Sequence, residues 1–188
     1  MKSTVTGNAE TIKKILANKP QYKECLFSRG YLITEDNLNA EEYPFYNLWK
    51  TEKIGKFTAF IHKDQDYCVY NQNDVTFLII GHAYNPFNEV YEEKELLALA
   101  ANAYFQSKEA FFECINEWTG IYCVFVFDKE VFGVQDCAGI KALYYGAPNG
   151  KVCFASHPQM VADIYGLKMD PFIEKLVANR FYNIGNRY

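Results

Sequence analysis

Few side chains in this sequence have a type and spacing that suggests chemistry, and most of them fall in two places. The first is Gly81-His82, at the end of the apolar run Val75–Gly81. An imidazole titrates near neutral pH and can relay a proton. At the rim of a strand, though, His82 reads first as a hydrogen-bonded histidine and second as an acid–base group. Gly81 reads first as a turn or bulge residue. The second place is Asp136-Cys137-Ala138-Gly139, followed by Lys141 and, further on, by Cys153-x-x-x-His157. Asp136 and Gly139 suit a turn in which the carboxylate accepts backbone N–H groups. Cys153, His157 and Cys137 can be drawn as a metal site, but they lack the paired spacing of structural zinc ligands. No metal is assigned.

The residues of the second group are positioned by Ile121–Ser156, which reads as four short strands. Ile121–Phe127 is apolar, Asp128-Lys129-Glu130 reverses the chain, and Val131–Gln135 runs back. Lys141–Tyr145 goes out, Ala147-Pro148-Asn149-Gly150 turns, and Val152–Ala155 returns. Asn149-Gly150 tolerates the positive φ of a tight hairpin. Ser156 has the chemistry of a helix N-cap, and Pro158 suits the first turn after it. The expectation is an antiparallel meander closed by a helix.

Composition sets the bounds. A chain of 188 residues, 49% hydrophobic and 17% aromatic, can bury one substantial core. A net charge of −4, with no Lys/Arg-rich run, gives no field for nucleic acid. No apolar run approaches the roughly 20 residues of a membrane helix. The start carries Lys2, Lys13, Lys14 and Lys19 without an apolar core, unlike a signal peptide. Cys25, Cys68, Cys114, Cys123, Cys137 and Cys153 are scattered, as in a reduced, cytoplasmic chain.

In chain order, Ile12, Ile15 and Leu16 predict a short helix ending before Pro20. Glu24–Ile33 reads as a strand and Glu35–Tyr43 as an acidic loop. Phe57–His62 and Tyr67–Tyr70 are expected to pair as a hairpin across Lys63–Asp66. Val75–Gly81 is a strand apolar enough to be buried on both faces. Glu92–Gln106 has helical spacing, and Ser107 is placed to cap a second helix, Lys108–Trp118. Pattern alone supports an α+β fold. Glu24–Gly81 and Ile121–Ser156 are expected to supply one layer each, with the helices between them covering one outer face.

Several motifs also carry a family resemblance. Asp136-x-x-Gly139-Ile140-Lys141-Ala142-Leu143-Tyr144-Tyr145-Gly146, then Phe154-Ala155-Ser156, resembles the glutamine-amidotransferase domain at the N-terminus of asparagine synthetases. There the family writes Arg-Asp-x-x-Gly-x-Lys-Pro-Leu-Tyr-Tyr and Phe-Ala-Ser; Gln135 and Ala142 depart from that pattern. Trp118-Thr119-Gly120 with the strand to Asp128, and Ile80-Gly81-His82-Ala83-Tyr84-Asn85, are similar to further family motifs. The matches run in order from Val75 to Asp170. The resemblance implies a four-layer αββα sandwich of the N-terminal-nucleophile hydrolase type, with residues 1–170 as the domain and 1–22 as a polar, helical extension.

The resemblance also implies a chemistry. Family enzymes free ammonia from glutamine with an N-terminal cysteine thiolate, the α-amine as base, and an Asn side chain and a Gly N–H as oxyanion hole. Here Lys2 after Met1 disfavours methionine removal, and the first turn has no cysteine. Ile80 aligns with the oxyanion Asn, Gly81 keeps the family glycine, and His82 stands for a substrate-facing glutamate. Glu93 aligns with an aspartate that holds the substrate amine. No arginine matches the carboxylate clamp, since Arg29-Gly30 comes too early. Ile80, Gly81, His82 and Glu93 are therefore expected to form a vestigial pocket, while Asp136, Gly139, Lys141, Tyr144 and Ser156 have structural roles.

The first expectation is a degenerate domain acting as a structural or interaction module, with no cofactor. Its partner would be a C-terminal ATP-dependent synthetase domain, in the same or a separate chain, with homo-oligomerisation as a further possibility. Residues 171–188, including an amphipathic helix over Phe172–Phe181, would lead towards that domain. The chain has no Ser-Gly-Gly-x-Asp loop of its own. The alternative is an active glutaminase in which cleavage after Glu24 exposes Cys25 at the start of a strand.

Overall fold

The computed structural model describes residues 4–5, 10–38 and 49–178. In chain order these form β1 (Thr4–Val5), α1 (Glu10–Asn18), β2 (Tyr31–Thr34), β3 (Asn37–Leu38), β4 (Trp49–Ile54), β5 (Phe57–His62), β6 (Tyr67–Gln72) and β7 (Val75–Tyr84). There follow α2 (Glu93–Tyr104), α3 (Lys108–Asn116), β8 (Thr119–Phe127), β9 (Val131–Gln135), β10 (Tyr144–Gly146), β11 (Cys153–Ala155), α4 (Pro158–Tyr165) and α5 (Pro171–Ala178). One antiparallel sheet has the order β10-β11-β2-β5-β4 and a second has β6-β7-β8-β9; β1 and β3 make a small parallel pair.

Strand alternation explains the layering. Along β7, Leu78 and Ile80 face the interior between the sheets, while Phe77 and Ile79 face α2 and α3. Along β8, Cys123 and Phe125 face inward and Tyr122 and Val124 outward. The other sheet sends Tyr31, Ile33 and Ile61 into the same interior. Its outer residues Leu32, Phe60 and Ala155 pack with Ile12 of α1 and Met160 and Ile164 of α4. Helices therefore cover both outer faces, giving four αββα layers. With both sides of β7 buried, its uninterrupted apolar run is what the fold requires.

Local signals hold well. The Ser107 hydroxyl accepts from Ala110 N–H at 3.0 Å and starts α3 as expected. Asn149 and Gly150 have φ of 55° and 76°, the left-handed pair anticipated for the turn before β11.

Five expectations are corrected, three of them by long-range pairing. Phe57–His62 and Tyr67–Tyr70 do not form a hairpin, because β5 is already flanked by β2 and β4. Residues 63–66 instead carry the chain to the other sheet, where β6 pairs β7. The meander over 121–156 is likewise split, with β8–β9 in one sheet and β10–β11 in the other. Each half of the chain thus contributes to both layers and does not supply one of its own. The strand expected over Glu24–Ile33 begins only at Tyr31. Pro20 opens a 3₁₀ turn to Glu24, and Phe27 and Arg29 then adopt left-handed φ of 51° and 53°. The strand expected to end at Gly81 continues to Tyr84.

Beyond α4 the chain forms α5, whose Phe172 and Ile173 are 65% and 45% exposed. Phe181, expected at the end of that helix, and most of the acidic loop to Tyr43 lie outside the described residues. Among the described residues no helix is long and apolar enough to cross a membrane.

Candidate functional site

The best-formed cavity, about 590 Å³, opens where the chain crosses between the sheets. One wall is Gly81 and His82 of β7, faced by Ile121 of β8. Another is the connector Asp64-Gln65-Asp66, and a third is Ile140-Lys141-Ala142 of the second crossover. Ser28 and Arg29 before β2, and Ser156 and His157 after β11, close the corner.

Asp136 organises the second crossover. It is 3% exposed. Its Oδ1 accepts N–H groups from Ala138 (3.1 Å) and Ile140 (3.0 Å), and its Oδ2 accepts Lys141 N–H at 2.7 Å. Gly139 adopts φ +64° and donates to the Asp136 carbonyl at 2.9 Å. This is the turn the two residues predicted, and it aims Lys141 into the cleft. The Tyr31 hydroxyl ties the same loop to β2 by donating to the Ala142 carbonyl at 2.9 Å. Burial pushes the pKa of that hydroxyl far above its ordinary value.

Lys141 Nζ donates to the Arg29 carbonyl at 3.2 Å and to Gln65 Oε1, both neutral acceptors. Burial lowers its pKa, and the nearby Arg29 charge adds to the effect. Ser156 Oγ accepts Tyr31 N–H at 2.8 Å and lies 2.8 Å from His157 Nδ1. Burial lowers the pKa of His157 as well, followed by the charge on Lys141. His157, and not Ser156, occupies the N-cap position of α4, and neither side chain caps the helix. Ser156 is instead drawn towards the β2 backbone.

The four residues expected to form the pocket are dispersed. Gly81 and His82 are on the wall. Gly81 has φ +106°, and a Cβ there would sit 2.1 Å from the Ile121 carbonyl oxygen, so only glycine permits this strand approach. Ile80 is fully buried in the core between the sheets, not on the cleft wall. Glu93, near the start of α2, hydrogen-bonds His82 Nδ1 outside the cavity lining. Tyr144 sits on the edge strand β10, opposite Ala155. Cys25 does not open a strand. It is exposed in the turn after the 3₁₀ helix, with residues 26–30 between it and β2. None of the described cysteines lines the cavity. No cluster of three His, Cys, Asp or Glu side chains among the described residues could hold a metal ion.

The sequence reading missed Arg29, the connector 64–66 and His157 as cleft residues. Arg29-Gly30 reads as too early in the chain to match the family's carboxylate clamp, yet Arg29 lines the cavity together with Gly81. The available signal was Gly30: a Cβ there would lie 2.8 Å from Ser156 Oγ and 3.2 Å from His157 Nδ1. A glycine directly before a strand can thus mark where two distant segments touch.

A search of curated proteins finds no match to this chain. The model of the glutamine amidotransferase domain family matches residues 64–163, which span β7, both crossovers and most of the cleft. That match covers more than half of the chain, and the αββα layering fits the N-terminal-nucleophile hydrolase arrangement of class II domains. The protein belongs to the glutamine amidotransferase domain family.

Proposed function

We propose that this is a glutamine-amidotransferase-type domain that no longer hydrolyses glutamine and serves as a non-catalytic module for an ATP-dependent, amide-forming synthetase of the asparagine synthetase kind. The observation that carries the reading is the cleft itself. Its described wall holds no thiol, and the residue standing for the oxyanion asparagine, Ile80, is turned into the core. Covalent amide hydrolysis needs a thiolate within reach of the carbonyl and donors aimed at the developing oxyanion. Losing one such donor costs about 3 kcal/mol of transition-state stabilisation. Ser156 is no substitute, because it is buried and its hydroxyl accepts the Tyr31 N–H at 2.8 Å and donates to the Tyr31 carbonyl at 3.3 Å, which turns it towards β2. Cleavage before Cys25 would leave the thiol in an exposed turn, separated from the strand by residues 26–30. An interaction role is supported by Phe172 and Ile173 on α5 and by Leu167 and Met169 before it, all exposed. Apolar groups of that size favour a covering partner.

The test is ammonia release from glutamine by the purified full chain, together with mass spectrometry after exposure to a diazoketone analogue of glutamine. No release above buffer and no stoichiometric label are expected. Stoichiometric labelling of Cys25 in a form lacking residues 1–24 would overturn the reading.

A further inference from the structure

We propose that the corner of the cleft formed by Lys141, Arg29 and His157 binds the oxyanion group, carboxylate or phosphate, of a small ligand. It rests on the non-hydrolysing reading only in that the ligand is held and not consumed.

The three basic residues converge from distant parts of the chain. Lys141 Nζ reaches the Arg29 carbonyl at 3.2 Å, and Gly30, the next residue, leaves room for Ser156 Oγ and His157 Nδ1. All three basic residues line one cavity. Lys141 has only neutral oxygens as hydrogen-bond acceptors, and Arg29 has no ion-pair partner among the described residues. Their charges disfavour one another: Arg29 pushes the pKa of Lys141 down, and Lys141 pushes that of His157 down, in each case on top of burial. An anion placed between them reverses both effects.

Hydrogen bonding adds to this. Ser156 Oγ accepts the Tyr31 N–H, lies 3.3 Å from the Tyr31 carbonyl and 2.8 Å from His157 Nδ1, so the serine engages the ring at Nδ1 and Nε2 is the nitrogen left to meet a ligand. Helix α4 begins directly after His157 with no acidic residue in its first turn, so its positive end is not neutralised there. A guanidinium fork and an ammonium together match the geometry of a carboxylate or phosphate group.

The other charged groups on the cleft confine the site. Asp64 and Asp66 line the connector wall, and Asp66 favours the charged form of Lys141 from a distance. His82, on the β7 wall, is paired with Glu93. The acidic wall excludes a bulky polyanion and leaves room for one anionic group in the basic corner.

The full chain is titrated with inorganic phosphate and, separately, with malonate at constant ionic strength. The His157 imidazole is followed by NMR and binding by calorimetry. At least one anion is expected to saturate a single site and raise the His157 pKa. Preference for phosphate identifies a phosphate-ester ligand, and preference for malonate a carboxylate. Arg29→Gln and Lys141→Met are each expected to weaken binding about tenfold or more. Among the described residues the Arg29 side chain makes no ion pair, so Arg29→Gln keeps the test standing even if Lys141→Met does not fold. Absence of saturable binding by either anion below roughly 10 mM, or unchanged affinity in Arg29→Gln, overturns the proposal. Ammonia release by the same preparation would count against the non-hydrolysing reading and leave the anion titration to be judged by itself.

Discussion

Asp136→Asn separates a structural carboxylate from a surface one. In the native loop the carboxylate accepts the N–H groups of Ala138, Ile140 and Lys141, the last at 2.7 Å. An asparagine can keep its oxygen towards Ala138 and Ile140. Its NH₂ group must then face the Lys141 N–H, donor against donor, in a place where water has little access. A hydrogen bond to a charged group contributes about 1.5–3 kcal/mol, and an unsatisfied buried donor costs a similar amount. Weakening two bonds and losing the third gives a net loss of about 3 kcal/mol, since such terms overlap. For a chain of this size that lowers the melting temperature by about 6–12 °C. Urea denaturation gives the free energy, and amide exchange at residues 138, 140 and 141 gives the location. A loss under about 0.5 kcal/mol, or unchanged protection at those three amides, would refute the assignment of Asp136 as the anchor of this crossover.

Two further predictions follow from the same region. Because burial and Lys141 depress the folded-state pKa of His157, the unfolded chain binds more protons at that site below about pH 6.5, and stability falls as pH drops through that window. Denaturation midpoints between pH 7.5 and pH 5 should decline less steeply in His157→Gln than in the wild type; equal slopes would count against the shift. Gly81→Ala forces a Cβ against the Ile121 carbonyl at positive φ and should cost about 3 kcal/mol or more. Gly55→Ala, at φ +55° in open space, should cost about 1 kcal/mol. Equal thermal shifts for the two variants would show that the close approach at Gly81 is unimportant.

What the sequence made legible was what short-range chemistry decides. The two-sided burial of β7, the Ser107 cap and the left-handed Asn149-Gly150 pair are each written within a few residues. The Asp136–Gly139 turn was legible for the same reason. Sheet membership was not. Lys63–Asp66 has good turn composition, yet whether β6 turns back onto β5 depends on β2 and β4 having already taken both edges of β5. The same gap hid Arg29. Its place in the cleft follows from β11 lying beside β2, a pairing between segments more than a hundred residues apart, which no local pattern encodes.

The cleft walls include both connectors that pass between the sheets, residues 63–66 and the loop after β9. The cavity is therefore a seam in the sandwich and not a dent in one layer. Lys141 already laces this seam, reaching Gln65 on one connector and the Arg29 carbonyl at the head of β2. The lysine thereby joins the connector that leaves β5 to the loop that enters β10, so the two places where the chain changes sheet are fastened to each other and to the head of β2 by a single side chain.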